Sequence, residues 1–198
     1  MNNLFSETRA AVLATLILAI VCCGLYPLVV FGIAQAVFPN KANGSLIVDK
    51  NGVVRGSRLI GQQFSGQRYF HSRPSAAGKG YDAANSGGSN LGPTSRALAI
   101  VIKDRVAAYR KENGLKATDS VPADAVTASG SGLDPDISVR NAQIQAARVA
   151  KARGMSLQEV LKLVRANTDE PDLGFLGEPG VNVLELNLAL DGVTTGEN

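Results

Sequence analysis

The sequence has no tryptophan, one histidine and two cysteines in 198 residues, and each scarcity closes a class of chemistry. Cys22 and Cys23 are adjacent and lie inside an apolar stretch, so the polar remainder holds no disulfide and no cysteine metal site. His71 stands alone, and nothing in the sequence points to partners that would make it a member of a Ser-His-Asp triad or of a histidine metal site. It is read as a polar loop residue beside Phe70. Glycine is abundant, yet no Gly-rich run leads into Lys-Ser or Lys-Thr, which excludes a phosphate-binding P-loop. The net charge is +3 and the pI about 9.0, without a Lys/Arg run, and aromatics make up only 5% of residues. Nucleic acid is therefore not an expected partner.

One long interval lacks charge altogether. From Ala10 to Asn40 there is no Asp, Glu, Lys, Arg or His, a stretch of roughly 30 residues where about 20 suffice for a helix to cross the hydrocarbon core. Val12, Leu13, Leu16, Ile17, Leu18, Ile20 and Val21 form a nearly unbroken apolar run, with Leu28 to Ile33 continuing it after Tyr26 and Pro27. Pro27 is expected to kink or end the first helical stretch. A secretory signal peptide is the competing reading, with Ala34-Gln35-Ala36 as its cleavage site. Such peptides carry an apolar region of only about 7 to 15 residues behind a basic start, so an uncleaved anchor in the lipid bilayer is favoured. Arg9 on one side and Lys41 and Lys50 on the other leave sidedness undecided by charge. The expected division is a short tail over 1–9, a transmembrane helix over 10–38 and one polar domain over 39–198.

Within that domain, Ser45 to Val48 and Gly52 to Arg55 are β-prone runs around Asn51-Gly52, a strong hairpin signal. Residues 56–93 are rich in Gly, Ser and Asn and read as a long ordered loop, a kind of segment that is usually functional. Thr94 or Ser95 caps a helix to about Glu112, with Leu98, Ile102, Val106 and Tyr109 on one face and Asn113-Gly114 as its stop. A second helix runs from about Ser138 to Arg153, with Arg140, Arg148, Lys151 and Arg153 displayed and Gly154 at its end. A third starts at the capping box Ser156/Glu159 and places Leu157, Val160, Leu161 and Val164 at helical spacing. Leu184 to Leu190 alternates with period two, which favours a strand; Val181, Leu184 and Leu188 also satisfy a helix. Helices with a small sheet and no βαβ alternation indicate an α+β domain.

Two clusters combine permissive backbone with hydroxyls: Ser86-Gly87-Gly88-Ser89-Asn90 and Ser129-Gly130-Ser131-Gly132-Leu133-Asp134. Consecutive N–H groups in such turns can cradle an anion, and the first cluster precedes a helix N-terminus. The plainer reading is that the glycines permit positive φ and the hydroxyls cap helices. A serine nucleophile at Ser86 or Ser129 would need a base that the sequence does not name. Asp49-Lys50-Asn51-Gly52 differs by one residue from the Asp-Lys-Thr-Gly in which P-type ATPases phosphorylate aspartate. It falls in the expected hairpin turn, and the hydrolase domain that such chemistry demands is absent.

Taken in order, a larger set of motifs is similar to one family. Tyr26-Pro27-Leu28, Phe38-Pro39 and Ala42-Asn43-Gly44-Ser45-Leu46-Ile47 come first. Gly56-Ser57, Leu59-Ile60-Gly61-Gln62, Tyr69-Phe70-His71, Arg73-Pro74-Ser75-Ala76 and Ser86 to Leu91 follow. Val126 to Asp134, Arg148-Val149-Ala150, Ala152-Arg153, Val181-Asn182 and Glu185 to Leu190 complete the set. Together they resemble the C subunit of the Kdp potassium-transporting ATPase over nearly the whole chain. Asp82 stands where the family pattern has Asn, and Asp136 where a His is frequent. The resemblance implies a bacterial inner-membrane complex with a channel-like potassium-binding subunit, a P-type ATP-hydrolysing subunit and a small membrane subunit. This chain would be a non-catalytic chaperone that raises the nucleotide affinity of the P-type subunit, with ATP shared between them. Ser86 to Asn90 would then be nucleotide ligands, by likeness to the signature loop of ABC transporters. The family's soluble domain is also placed outside the cytoplasm, packed on the channel-like subunit, where ATP is scarce. These implications conflict, and packing is the physically favoured one. A free-standing anchored protein that binds an anionic ligand at the same loops is the alternative.

Overall fold

The computed structural model describes residues 2–193; residues 194–198, expected in the polar domain, lie outside the described residues. The chain divides into two compact units, one ending at Ser45 and the other beginning at Leu46.

In the first unit, α1 (Asn2–Ala19), a π-helical turn (Ile20–Leu25) and α2 (Tyr26–Val37) follow without a break. Residues 2–9, expected as a tail, thus begin the helix. Leu4–Val37 is long and apolar enough to cross a membrane, and the hydroxyls of Thr8 and Thr15 bond back to the carbonyls of Leu4 and Ala11. Pro27 does not end the helix. The Tyr26 N–H reaches back five residues to the Val21 carbonyl, and this widened turn makes room for the proline ring just beyond it. The helix stops where a second proline follows: Phe38 leaves helical geometry at φ −133° and ψ 51° ahead of Pro39, as crowding by a proline ring demands of the residue before it. One further turn, α3 (Pro39–Ala42), leads to Gly44 at φ +89°.

The second unit opens with the expected hairpin. β1 (Leu46–Val48) pairs antiparallel with β2 (Val54–Ser57), with Leu46 opposite Ser57 and a bulge between Ile47 and Val48. The buried Asp49 carboxylate organises the turn by accepting the N–H groups of Asn51 (2.8 Å) and Val53 (3.0 Å) and the Arg55 guanidinium (2.6 Å). The Val53 amide, against the cost of burial and with Arg55 and Asn51 adding, holds this carboxyl below the usual range. Asp49 is therefore a turn-former.

No regular structure interrupts residues 58–95. α4 (Arg96–Asn113) is capped by the Ser95 hydroxyl and closed by Gly114 at φ +66°. α5 (Val139–Arg153) starts at the Ser138 cap, and α6 (Leu157–Ala166) at the Ser156/Glu159 capping box. A three-stranded antiparallel sheet has the order β3 (Asp136–Ser138), β5 (Gly180–Asn182), β4 (Thr168–Asp169), with Ile137 opposite Val181 and Thr168 also opposite Val181. Helices and this small sheet make the second unit α+β.

The last element is a helix, α7 (Val183–Leu190), not the favoured strand. Asn182 caps it by accepting the Glu185 N–H at 3.1 Å. The period-two pattern misleads because Asn187, a polar residue, occupies the centre of the buried stripe 183, 184, 186 and 187. Counted as polar, Asn187 breaks the helical period and mimics alternation.

That asparagine belongs to the arrangement that holds the unit together. Phe70 is fully buried and clusters with Ile137, Ala142, Ala146, Val149, Val160, Val164, Val181 and Leu186. Its backbone lies in no sheet. The Asn187 side chain accepts the Phe70 N–H at 2.9 Å and donates to the Phe70 carbonyl at 2.9 Å. Gln145 treats His71 alike, accepting its N–H at 2.8 Å and donating to its carbonyl at 3.1 Å. Arg148 Nη1 donates to the carbonyls of Gly66, Gln67 and Tyr69, and Arg153 Nε to that of Arg68 at 2.6 Å. Arg148 and Arg153 were expected on display with Arg140 and Lys151. Their side chains are only 5% and 6% exposed, because they fold inward to donate to the carbonyls of residues 66–69, which have no neighbouring strand to supply donors. Burial pulls the Arg148 guanidinium below its ordinary value, with Glu112 opposing.

Asn187→Ala strands both polar groups of the buried Phe70 peptide. The expected loss is about 2–4 kcal/mol, read by denaturant unfolding of the detergent-solubilised chain followed by far-UV circular dichroism; a loss below about 1 kcal/mol would mean that the amide clamp is dispensable.

Candidate functional site

The two Gly/Ser clusters, 45 residues apart at Ser86 and Ser131, are one structure. Ser131 offers its carbonyl to both the Ser86 hydroxyl (3.0 Å) and the Gly87 N–H (2.9 Å). Gly132 sits at φ +68°, and a Cβ there would stand 2.6 Å from the Ala77 nitrogen and 2.7 Å from the Gly87 carbonyl. Only glycine fits, for conformation and for space. At Gly88 a Cβ would meet the Gly130 carbonyl at 3.1 Å, so the chains run backbone against backbone.

The preceding loop braces this junction. The Ser75 hydroxyl donates to the Gly132 carbonyl at 2.6 Å and accepts the N–H groups of Ala77 and Tyr81. The Gly61 N–H donates to the Leu133 carbonyl at 2.8 Å. Asp134 binds the Arg73 guanidinium at 2.7 Å and accepts the Asp136 N–H at 3.1 Å, and the Tyr81 hydroxyl donates to the Arg73 carbonyl. Burial raises the Tyr81 phenol, and the Asp134 charge adds to it.

What remains outward is the tip of the first cluster. Ser89 and Asn90 are exposed, Asn90 at φ +52°, and among the described residues no hydrogen bond engages the backbone N–H of Gly88, Ser89 or Asn90. Within the cluster the Gly87 N–H points at a carbonyl, and those of Gly88, Ser89 and Asn90 form the outward tip. Ser86 donates to a carbonyl, and His71 is turned to other work, with Nε2 2.8 Å from the Gly66 carbonyl and Nδ1 3.1 Å from Glu112. Among the described residues, the Ser86 hydroxyl bonds to a carbonyl and to no base.

A second concavity was not foreseen from the sequence. A cleft of about 270 Å³ lies between the 63–81 loop and α4, lined by His71, Arg73, Tyr81, Arg105, Tyr109 and Glu112 among others. Its polar groups face one another: Arg105 donates to the Val126 carbonyl and the Tyr109 hydroxyl to Asn141 at 2.8 Å. Burial raises the Tyr109 phenol well above its ordinary value. Its residues come from segments that only folding unites, so no local motif announces it.

A family model described as "K+-transporting ATPase, c chain" (KdpC) matches residues 8–192. The chain belongs to the KdpC family. The potassium-transporting ATPase KdpC subunit of Mycobacterium tuberculosis (strain ATCC 25618 / H37Rv) is 59% identical over 167 residues, 84% of this chain and 88% of that protein. The KdpC subunit of Nitratidesulfovibrio vulgaris is 55% identical over 190 residues, 95% of each chain, and that of Caulobacter vibrioides (strain NA1000 / CB15N) 54% over 188, covering 95% and 94%.

Asp82 and Asp136, the two positions expected to depart from the family pattern, both have local accounts. Asp82 accepts the Ala84 N–H and the Asn85 amide, chiefly the latter holding its carboxyl low. Asp136 is half-buried beside β5, with Oδ1 lacking any partner among the described residues.

Two outcomes follow from this geometry. Gly132→Ala is expected to cost about 2–3 kcal/mol; Gly130→Ala, with nothing within 4 Å of the added Cβ, should stay within about 0.5 kcal/mol of the parent. Denaturant unfolding of both variants checks the contrast. The Asp136 carboxyl is raised by burial first and then by the charges of Asp134 and Asp169, with Arg58 opposing. Between its ordinary and raised values the folded chain holds more protons than the unfolded one, so stability falls as pH rises through that window. Asp136→Asn should therefore exceed the parent by about 1 kcal/mol above the window, the gap closing as pH falls below the ordinary carboxylate value. Thermal unfolding across pH reads this directly.

Proposed function

We propose that this chain is a non-catalytic accessory subunit of a potassium-transporting ATPase complex, anchored by its single N-terminal helix, whose extramembrane unit holds the assembled pump in a competent arrangement. The observation that carries the reading in a KdpC-family chain is that the candidate nucleophile Ser86 donates to the Ser131 carbonyl, while His71, the one histidine, is bound to Gly66 and Glu112. A serine nucleophile needs its hydroxyl paired with a base, which argues against a serine hydrolase, and the P-type subunit would supply the chemistry. The channel-like potassium-binding subunit and the small membrane subunit complete the set of partners. Gly24 and Gly32, with nothing within 4 Å of an added Cβ, offer the anchor close approach to partner helices. On this reading the extramembrane unit lies outside the cytoplasm of a bacterial inner membrane, as expected from the family resemblance.

A nucleotide role at Ser86 to Asn90 has one observation in its favour, the three unengaged N–H groups of Gly88, Ser89 and Asn90, which suit a phosphate. Gly87, Ser129, Gly130, Ser131, Gly132 and Asp134 would support that tip without touching the ligand. The packing role is the one we adopt, because the junction is tied internally on most sides.

A photoreactive ATP analogue applied to the assembled complex separates the two. Labelling confined to the P-type subunit is the expected result; labelling of the peptide that contains Ser86 to Asn90 would establish the chaperone role instead. The isolated chain should hydrolyse no ATP, and turnover by it would overturn the accessory reading.

A further inference from the structure

Among the described residues, the turn after β4 carries the two most exposed large apolar side chains of the second unit. Leu173 is 83% exposed, Phe175 74% and Leu176 52%, in contrast to the general burial of such residues. The turn is nevertheless closed and well bonded: Asp172 and Leu176 exchange both N–H···O bonds at 3.0 and 2.9 Å, and the Gly174 N–H donates to the Pro171 carbonyl at 2.9 Å. Leu173 is held at φ +54°, a conformation rare for a bulky side chain and the kind of strain found at binding elements. A rigid turn that presents two large apolar side chains loses little conformational entropy on docking.

The charge around these side chains selects the occupant. No Lys, Arg or His follows Arg165 in the chain. Among the described residues, the ion pairs made by acids after Arg165 are those of Asp169 and Glu185 with Arg58 and of Asp191 with Arg153. Glu170, Asp172 and Glu178 are exposed and engage in no ion pair among the described residues. The apolar tip thus carries an acidic rim, which an anionic lipid surface repels and a cationic protein surface attracts.

We infer that the turn from Pro171 to Leu176 is a docking knob for another subunit of the pump, which receives Leu173 and Phe175 in an apolar pocket rimmed by Lys or Arg. This rests on the accessory-subunit reading above. Buried aromatic and aliphatic anchors ringed by polar groups carry most of the energy of such contacts.

The test uses the full chain, tagged and expressed with its complex. Leu173→Ser with Phe175→Ser should lower the yield of co-purified partner subunits by about tenfold or more; both side chains are exposed, so the fold does not depend on them. Neutralising the rim (Glu170→Gln, Asp172→Asn, Glu178→Gln) should lower retention at low ionic strength and remove the salt sensitivity that the parent shows. With p-benzoylphenylalanine at position 175, irradiation should yield a cross-link to a partner subunit. Cross-linking to lipid, or parental retention in both variants, would overturn the inference while leaving the accessory role intact. A parent chain that captures no partner at all would overturn both.

Discussion

A buried strand of chain without a neighbouring strand faces a fixed demand: its N–H and C=O groups have left water and require partners, at roughly 1–3 kcal/mol for each one denied. Phe70 is in that position, fully buried in the core while residues 66–71, which run inward from exposed Gly66, Gln67 and Arg68, belong to neither sheet. Side chains from two helices meet the demand. Asn187 on α7 and Gln145 on α5 each close a two-bond pairing with the N–H and carbonyl of one residue, as an adjacent strand would, and Arg148 and Arg153 take four carbonyls of the segment between them. The polar stripe is linked along its length, with Arg148 donating to Gln145 at 2.9 Å and Gln145 to Asn141 at 2.9 Å. A connected network of this kind fixes one arrangement of the core, because any displacement leaves several groups unpaired at once.

Much of the loop depends on that pinning. With Phe70 and His71 fixed, Arg73 and Ser75 reach the 129–134 segment, and the Gly61 N–H meets Leu133. The glycines at 87, 88 and 132 then serve close backbone approach more than mobility. A long irregular segment that would otherwise be an entropic burden becomes a bracket that fixes the base of the 86–90 turn.

The features written locally were legible. Ser95, Ser156 with Glu159, Gly114 and Gly154 bound helices by bonds that span three or four residues, and Asn51-Gly52 marks a turn whose partners are adjacent. The features that failed to show are those whose cause is distant in sequence. Asn187 bonds to a peptide 117 positions away, so its polarity broke the period of a helix it actually completes. Arg148 resembles a solvated charge until the carbonyls of Gly66 to Tyr69 are brought beneath it. Ser86 and Ser131 read as two loops because nothing local says that one carbonyl serves both the Ser86 hydroxyl and the Gly87 amide.

The same accounting explains where the second unit is left open. Most buried polar atoms are matched, and the two exceptions among the described residues, Arg73 Nε and Asp136 Oδ1, lie on either side of Asp134. They border the junction of the two Gly/Ser segments, so the imperfect match sits where three stretches of chain converge and geometry is least free to relax. Two exposed places contrast: the N–H groups of Gly88 to Asn90, polar and without a partner among the described residues, and the turn at Leu173 and Phe175, whose backbone is bonded across the turn while its apolar side chains stand in solvent. An unpaired exposed N–H is solvated by water at little cost, whereas two large apolar groups held out by a strained residue gain on leaving it. The hydrophobic driving force for association is therefore greater at the turn than at the glycine tip, and the turn is the physically favoured place for a partner to bind.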